Sequence, residues 1–329
     1  MKFLFIGSHH QPGGPNEVNR NIIKHLPTKQ FSYIKEKGGI TLRLEKIVKI
    51  LFSRVVVISG ICVKPYEIKL ASFLKKKIIY IMHGCLLLER GYSSVEEQLL
   101  LEKSSKVLCV SAPYSELIKT KYPQFASKIG ILTNGVNWDE VYWLRNIIKN
   151  IQRDPNRIIL FGGGRKVKGN LQVCKAIEEL NNTHNQQLHV DVYGYFRSDD
   201  DSKEISEIPC VNFHHVIPHN EINLELVKSQ LFIQNSKYES FSLALIDSLG
   251  AGCSVLFSVN VGAKDIISNK KESDVIHDSS DINELKEKIL NVMKNPNNER
   301  LYGSIDRDTT SYKTSVKRLI SICEEVIKK

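Results

Sequence analysis

This sequence has no long apolar run. The longest, Val55 to Val63, is interrupted by Ser59 and Gly60 and flanked by Arg54 and Lys64. It falls well short of the roughly 20 residues that a membrane span needs. There is no C-x-x-C pair. Cys62, Cys85, Cys109, Cys174, Cys210, Cys253 and Cys323 are scattered, mostly within apolar stretches. That usage points to buried, reduced thiols and away from disulfides or a zinc site. Met1 leads straight into the strand-like MKFLFIG, without the charged head, apolar core and small-residue cleavage site of a secretion signal. The expectation is a cytoplasmic protein. Carboxylates are in deficit, with 36 Asp and Glu against 46 Lys and Arg, for a net charge of +10. Such a surface attracts nucleic acid, anionic lipid or phosphorylated substrates, and it also serves plain solubility. No zinc finger, RNA-binding motif or long basic block accompanies the charge, which argues against nucleic acid.

The chain holds 329 residues, 42% of them hydrophobic, enough for about two domains. Short apolar runs alternate with helical segments. In the first half the expected strands are Phe3 to Gly7, Phe31 to Ile34, Arg54 to Ser59, Ile78 to His83, Lys106 to Ser111 and Lys128 to Leu132. A turn-rich link near Asn150 to Asn156 follows, and the alternation restarts with Arg157 to Phe161, Leu188 to Tyr193, Val211 to His214, Gln230 to Gln234 and Ser254 to Ser258. β-branched runs separated by helices predict parallel sheets of βαβ units. The expected layout is an α/β chain with domains at 1–150 and 151–310, and a final helix at 311–329 packing back on the first domain. Two doubly wound sheets facing across a cleft bind ligands just beyond the C-terminal ends of their strands.

Four segments occupy such positions. The first is Gln11-Pro12-Gly13-Gly14-Pro15, after strand one; it is either a simple turn or a loop that brings backbone amides to an anion. It does not read G-x-G-x-x-G, so a nicotinamide cofactor has little support. The second is His83-Gly84, an imidazole that either caps a turn or meets a sugar hydroxyl or phosphate. The third, Gly162-Gly163-Gly164-Arg165-Lys166-Val167-Lys168-Gly169, combines a glycine nest with cations. A phosphate site fits it better than a solvated basic turn, and it lacks the Gly-Lys-Ser/Thr of a P-loop. The fourth runs from Glu239 through Ser242 to Asp247. Its carboxylates stand eight residues apart, Glu239 at the mouth and Asp247 along the same helix face, suited to a sugar and a ribose diol.

Weaker signals have plainer explanations. Asp199-Asp200-Asp201 has the look of a D-x-D metal motif but sits in a polar loop, where a solvated turn is favoured. His214, His215 and His219 resemble zinc ligands, yet Pro218 breaks any helix that would align His215 with His219. No metal is expected. Helix Thr41 to Phe52 places Leu44, Ile47, Val48 and Leu51 on one face and Arg43, Lys46 and Lys49 on the other. The expectation is an apolar face against the sheet and a wet basic face, the latter a candidate for contact with an anionic membrane.

In this order the segments resemble the retaining glycosyltransferases of family 4, group 1 type, on the GT-B fold. Asn134-Gly135-Val136-Asn137 is similar to that family's N-G-V-D. Val192-Tyr193-Gly194, Arg165…Lys168-Gly169, the stretch Tyr238 to Leu256 and the turn Val261 to Ile266 also match. The resemblance implies a metal-independent enzyme without a cofactor, whose donor substrate is a nucleotide sugar, a UDP-sugar above all. It implies Gly13 and Gly14 beneath the donor phosphate and His83 on the transferred sugar. Gly164, Arg165 and Lys168 would hold the diphosphate, and backbone near Val216 would read the base. Glu239 would touch the sugar, backed by the amides of Phe241, Ser242 and Leu243, and Asp247 would bind the ribose. Asp247 stands where the family usually has the longer Glu. The acceptor would be a glycan or lipid-linked glycan in surface polysaccharide synthesis, with the enzyme cytoplasmic or on the inner membrane face. Two other readings stay open: a nucleotide-sugar epimerase on the same fold, and a catalytically silent nucleotide-sugar-binding subunit.

Overall fold

A computed structural model describes residues 2–10, 13–35, 39–148, 151–184 and 186–328. Gln11 and Pro12 of the first glycine turn, Asn150 of the expected link and Lys329 of the last helix lie outside the described residues. The chain divides into two compact units: Met1–Asn137 with Arg307–Lys329, and Trp138–Asp306. The sequence places the division at 150/151 and sets 311–329 apart. In the structure it comes earlier, ahead of helix Trp138–Ile147, because that helix is packed into the second unit. A Cβ added at Gly250 would come within 2.9 Å of Val141 Cγ1.

The first unit contains strands β1 (Phe3–Gly7), β2 (Phe31–Tyr33), β3 (Val55–Ser59), β4 (Lys77–Met82), β5 (Lys106–Cys109) and β6 (Ile129–Ile131). They pair in parallel in the order β2-β1-β3-β4-β5-β6. The second unit contains β7 (Asp154–Phe161), β8 (His189–Tyr193), β9 (Val211–His214), β10 (Ser229–Gln234), β11 (Ser254–Ser258) and β12 (Val275–Ile276), in the order β12-β11-β10-β7-β8-β9, again all parallel. The two-residue β12 is too short to leave a period in the sequence. Central strands such as β1, β3 and β11 are buried along their whole length, as sheets covered on both faces require. The strand order reverses between β1 and β3 in one sheet and between β7 and β10 in the other. At such switch points the connecting loops diverge and leave a crevice at the strands' C-terminal ends.

The last helix, Tyr312–Lys328, lies in the first unit. Tyr312, Val316, Leu319, Cys323 and Val326 form its buried stripe. The Asn-Gly-Val motif receives its start. Val136 N–H donates to Thr310 O at 2.8 Å, and a Cβ on Gly135 would meet Tyr312 Cα at 2.5 Å. Gly135 is therefore required for close approach.

Helix Ile40–Phe52 reverses the sequence expectation. Lys46 and Ile50 face inward, while Leu44, Val48, Leu51 and Phe52 face solvent. Lys46 Nζ is satisfied by Cys62 O at 2.9 Å and by the Glu67 carboxylate at 3.4 Å. Lys49 donates to Tyr33 O at 2.7 Å. Both stripes repeat at helical spacing, so periodicity alone does not say which is buried. The partners offered by helix Pro65–Phe73 and strand β2 decide it.

Candidate active site

The two candidate segments of the second unit follow β7 and β10, the strands on either side of its switch point. After β7, Gly162 and Gly163 take positive φ values of 101° and 59°. Their N–H groups both donate to Tyr193 O, at 2.9 and 3.0 Å. Those two amides are thus occupied within the fold, and the open glycine nest expected from the sequence is closed at both. The glycines serve close packing. A Cβ on Gly163 would stand 2.9 Å from Tyr195 O, and one on Gly164 would stand 2.1 Å from Ser202 N. Gly164 rests on the Asp199–Asp201 segment, where Asp200 accepts from Ser202 N–H at 2.9 Å and shapes a turn. Arg165 is exposed. Lys168 is half-buried, and its stem crosses Gly162, whose missing Cβ would lie 2.8 Å from Lys168 Cγ.

Lys168 Nζ forms an ion pair with Glu239 Oε2, linking the two predicted segments across 71 positions of sequence. Glu239 is fixed through its backbone: its N–H donates to Asn260 O and its carbonyl accepts from Gly262 N–H at 3.0 Å. The loop after β7 is tied to the same segment by Lys237 N–H to Val167 O at 2.8 Å and by Asn235 Nδ2 to Gly169 O at 3.0 Å. Ser242 caps helix Leu243–Gly250, accepting from Leu245 N–H at 3.3 Å and donating to Gln234 Oε1 at 3.1 Å. It does so at φ +83°, an uncommon conformation for a non-glycine residue. Phe241 is buried behind it. The first amides of the helix, from Leu243 on, have no acceptor within the helix itself, which gives that end partial positive charge.

Asp247 stands on this helix and accepts from His219 Nε2 at 3.2 Å. The other ring nitrogen of His219 meets Glu140 Oε1 at 3.1 Å, and Asn223 Nδ2 donates to the same oxygen at 2.7 Å. The bonds to Asp247 and then Glu140 push the His219 pKa up to about 10, against the opposing effect of burial. His219 is therefore a cation at neutral pH that holds the Asp247 side chain in place. The sequence by itself suggests only a metal-ligand role for His219. Its partners come from two other helices, and no local spacing announces them. Among the described residues no group of three or more His, Cys, Asp or Glu side chains is placed to hold a metal ion.

A cavity of about 440 Å³ opens beside Val216, lined by Tyr193, His214, His215, Ile217, Glu221, Leu224 and Glu225. The Tyr193 and His214 rings stack at 4.6 Å. Below them Arg157 pairs with Asp191 and Glu225, both at 2.5 Å, and His214 Nε2 meets Asp191 Oδ1 at 2.8 Å. Burial pushes Asp191 upward, but its bonds from His214 and Arg157 outweigh this and hold it below the usual carboxylate range.

In the first unit, Gly13 precedes helix Gly14–His25 at φ +130°, and a Cβ at Gly14 would meet nothing within 4 Å. His83 follows β4 and is buried. Ser59, at the end of β3, donates to Asn19 Oδ1 at 2.6 Å, and its oxygen lies 2.8 Å from His83 Nε2. A serine has one hydrogen to give, so His83 Nε2 carries the proton of this contact. Burial pushes the His83 pKa down to about 4, which keeps the ring neutral.

No curated relative matches the chain significantly. Similar solved structures include Anabaena Alr3699/HepE in complex with UDP and glucose: 15% identity, TM-score 0.68, covering 99% of this chain and 100% of that one. Sucrose-phosphate synthase from Thermosynechococcus elongatus gives 15% identity and TM-score 0.70 over 99% of each chain. A trehalose-phosphate synthase from Burkholderia xenovorans gives 9% identity and TM-score 0.71 over 98% of this chain and 100% of that one. At these identities the likeness establishes the shared GT-B fold. Residues 145–307 match the family model for glycosyl transferases group 1, a segment that contains the loop after β7, the Lys168–Glu239 pair and helix Leu243–Gly250. Over that segment, just under half of the chain, the sequence is similar to the group 1 glycosyl transferases.

Proposed function

We propose that this glycosyltransferase moves a hexose or N-acetylhexosamine from a nucleoside-diphosphate sugar, a UDP-sugar above all, to a glycan or lipid-linked acceptor, with retention and without a metal. The reaction would serve surface polysaccharide synthesis at the cytoplasmic face of the membrane. The observation that carries the reading is the Lys168–Glu239 pair at the sheet's switch point. An ammonium and a carboxylate held together there supply what the donor needs, a cation for phosphate and an acceptor for sugar hydroxyls. In this reading Lys168 exchanges Glu239 for the diphosphate when donor binds, and Arg165 adds a second cation. Asp247 accepts from the ribose hydroxyls, oriented by His219, and the base enters the cavity beside Val216. In the first unit His83 is assigned to a sugar hydroxyl and the Gly13–Gly14 turn to a phosphate.

The bond from the anomeric carbon to the phosphate oxygen breaks, and its electrons leave with the nucleoside diphosphate. The acceptor hydroxyl oxygen bonds that carbon on the same face, and its proton passes to the departing phosphate. Lys168, Arg165 and the helix N-terminus stabilise the charge that develops, while Glu239 orients the sugar and does not attack it. Glu239→Ala and Arg165→Ala are expected to abolish transfer while the melting temperature holds. Wild-type turnover in both would refute the assignment. Donor at 100 times its dissociation constant should stabilise the wild type by about 2.7 kcal/mol. Product released without any acceptor would point instead to epimerisation, and donor binding without turnover to a silent subunit.

A further inference from the structure

The positive charge of this chain is concentrated. Between Pro27 and Ile78 there are 12 Lys and Arg against 3 Glu, so this stretch carries +9 of the chain's net +10. Two of those carboxylates are already neutralised, Glu67 by Lys46 and Glu45 by Lys49. The same stretch presents the outward stripe of helix Ile40–Phe52. Leu44 is 56% exposed, Phe52 70% and, on the neighbouring helix Pro65–Phe73, Phe73 83%. Phe52 and Phe73 lie at one end of this helix pair. They shortly precede β3 and β4, whose first residues Val55 and Lys77 are register partners. Lys76 Nζ, donating to Leu51 O at 2.8 Å, ties the two ends together. Exposed Arg54 and Lys75 stand at the same edge.

We propose that this face docks on an anionic bilayer, with the apolar stripe and the two phenylalanines entering the headgroup–acyl boundary and the surrounding cations meeting lipid phosphates. The combination of an aliphatic stripe, aromatic ends and exposed cations in the same stretch, Arg43, Arg54, Lys64, Lys69 and Lys75, is that of an interfacial helix. The helix has 13 residues, and among the described residues no helix is long and apolar enough to cross a membrane, so it lies on the surface. A second copy of this chain is a poor occupant, because a two-fold contact would bring two faces of the same strong positive charge together. The proposal stands apart from the donor chemistry, since none of these residues belongs to the candidate active site.

The test is co-sedimentation of the full chain with vesicles of equal parts phosphatidylglycerol and phosphatidylcholine, against phosphatidylcholine alone. The anionic vesicles should retain at least ten times more protein, and 0.5 M salt should weaken retention severalfold. The double variant Phe52→Ser/Phe73→Ser, altered only at exposed positions, should keep the wild-type melting temperature and lose most of that retention. Arg54→Glu/Lys75→Glu should do the same. In Phe52→Trp, emission should shift to the blue with anionic vesicles only. Equal retention on both vesicle types, or full retention by the Phe52/Phe73 variant, would overturn the proposal. So would a concentration-dependent dimer that the same substitutions abolish, since that would make the face a contact between copies.

Discussion

Lys168 reaches Glu239 because position 162 carries no side chain. Gly162 combines φ +101° with a virtual Cβ 2.8 Å from the Lys168 stem, so an alanine there meets two penalties at once. Gly162→Ala should cost about 1–3 kcal/mol of stability and displace Lys168 as well. Transfer should fall by about 10²–10³-fold in Lys168→Ala, the range for one lost charge-stabilising donor. A wild-type rate in Lys168→Ala would remove this residue from the site. His83 makes a separate prediction. Its folded pKa, near 4, lies below the unfolded value of about 6.5, so an unfolded chain takes up the proton first as pH falls. The buried neutral ring therefore supports stability above pH 6.5, and about 3 kcal/mol is lost between pH 6.5 and 4. His83→Gln should flatten that limb of the urea-midpoint profile; an unchanged slope would show that the ring is not buried neutral. At this scale the residue types and their order are legible in the sequence: Lys168 and Glu239 lie in the loops after β7 and β10, and Asp247 lies on the helix that follows. Which amides remain available is not. The Gly162 and Gly163 amides are taken by Tyr193 O, a residue some thirty positions away that only sheet pairing brings near.

Three helices, Trp138–Ile147, His219–Lys228 and Leu243–Gly250, meet through the Glu140–His219–Asp247 bonds. His219 is raised to about 10, so its contribution is complete below pH 6.5 and disappears as pH climbs toward 10. Its side chain is 39% exposed, and solvent screening reduces the effect to roughly 1 kcal/mol. His219→Gln should lose that alkaline limb. It should also raise the donor KM by roughly tenfold with kcat little changed, as expected for a group that positions a binding carboxylate. A fall in kcat alone would place His219 elsewhere in the reaction. Strands and helices were readable to within a few residues where a period was long enough. The helix Ile40–Phe52 shows the limit. Two stripes with the same spacing compete for the inside, and the polar one wins because Glu67 and two backbone carbonyls wait for its lysines.

The first unit is assembled from both ends of the chain, the second from a continuous segment. Removing residues 312–329 should strip Tyr312, Val316, Leu319, Cys323 and Val326 from the first unit's core, on the order of 5–10 kcal/mol of burial. That is comparable to the whole stability of a typical domain. The truncated chain should lose one of two melting transitions, while residues 138–306 expressed alone keep a cooperative one. Two unchanged transitions after truncation would show that the last helix is dispensable. The alternation of apolar runs with helical segments, a local property of covalent order and side-chain polarity, was enough to determine two parallel α/β sheets and where the loops after their strands fall. Tertiary structure alone decided that Gly135 receives the last helix, that His219 bonds Asp247 and that lysines of Ile40–Phe52 turn inward. Each of these depends on a partner distant in sequence, and burial free energy is settled only when both partners are in place.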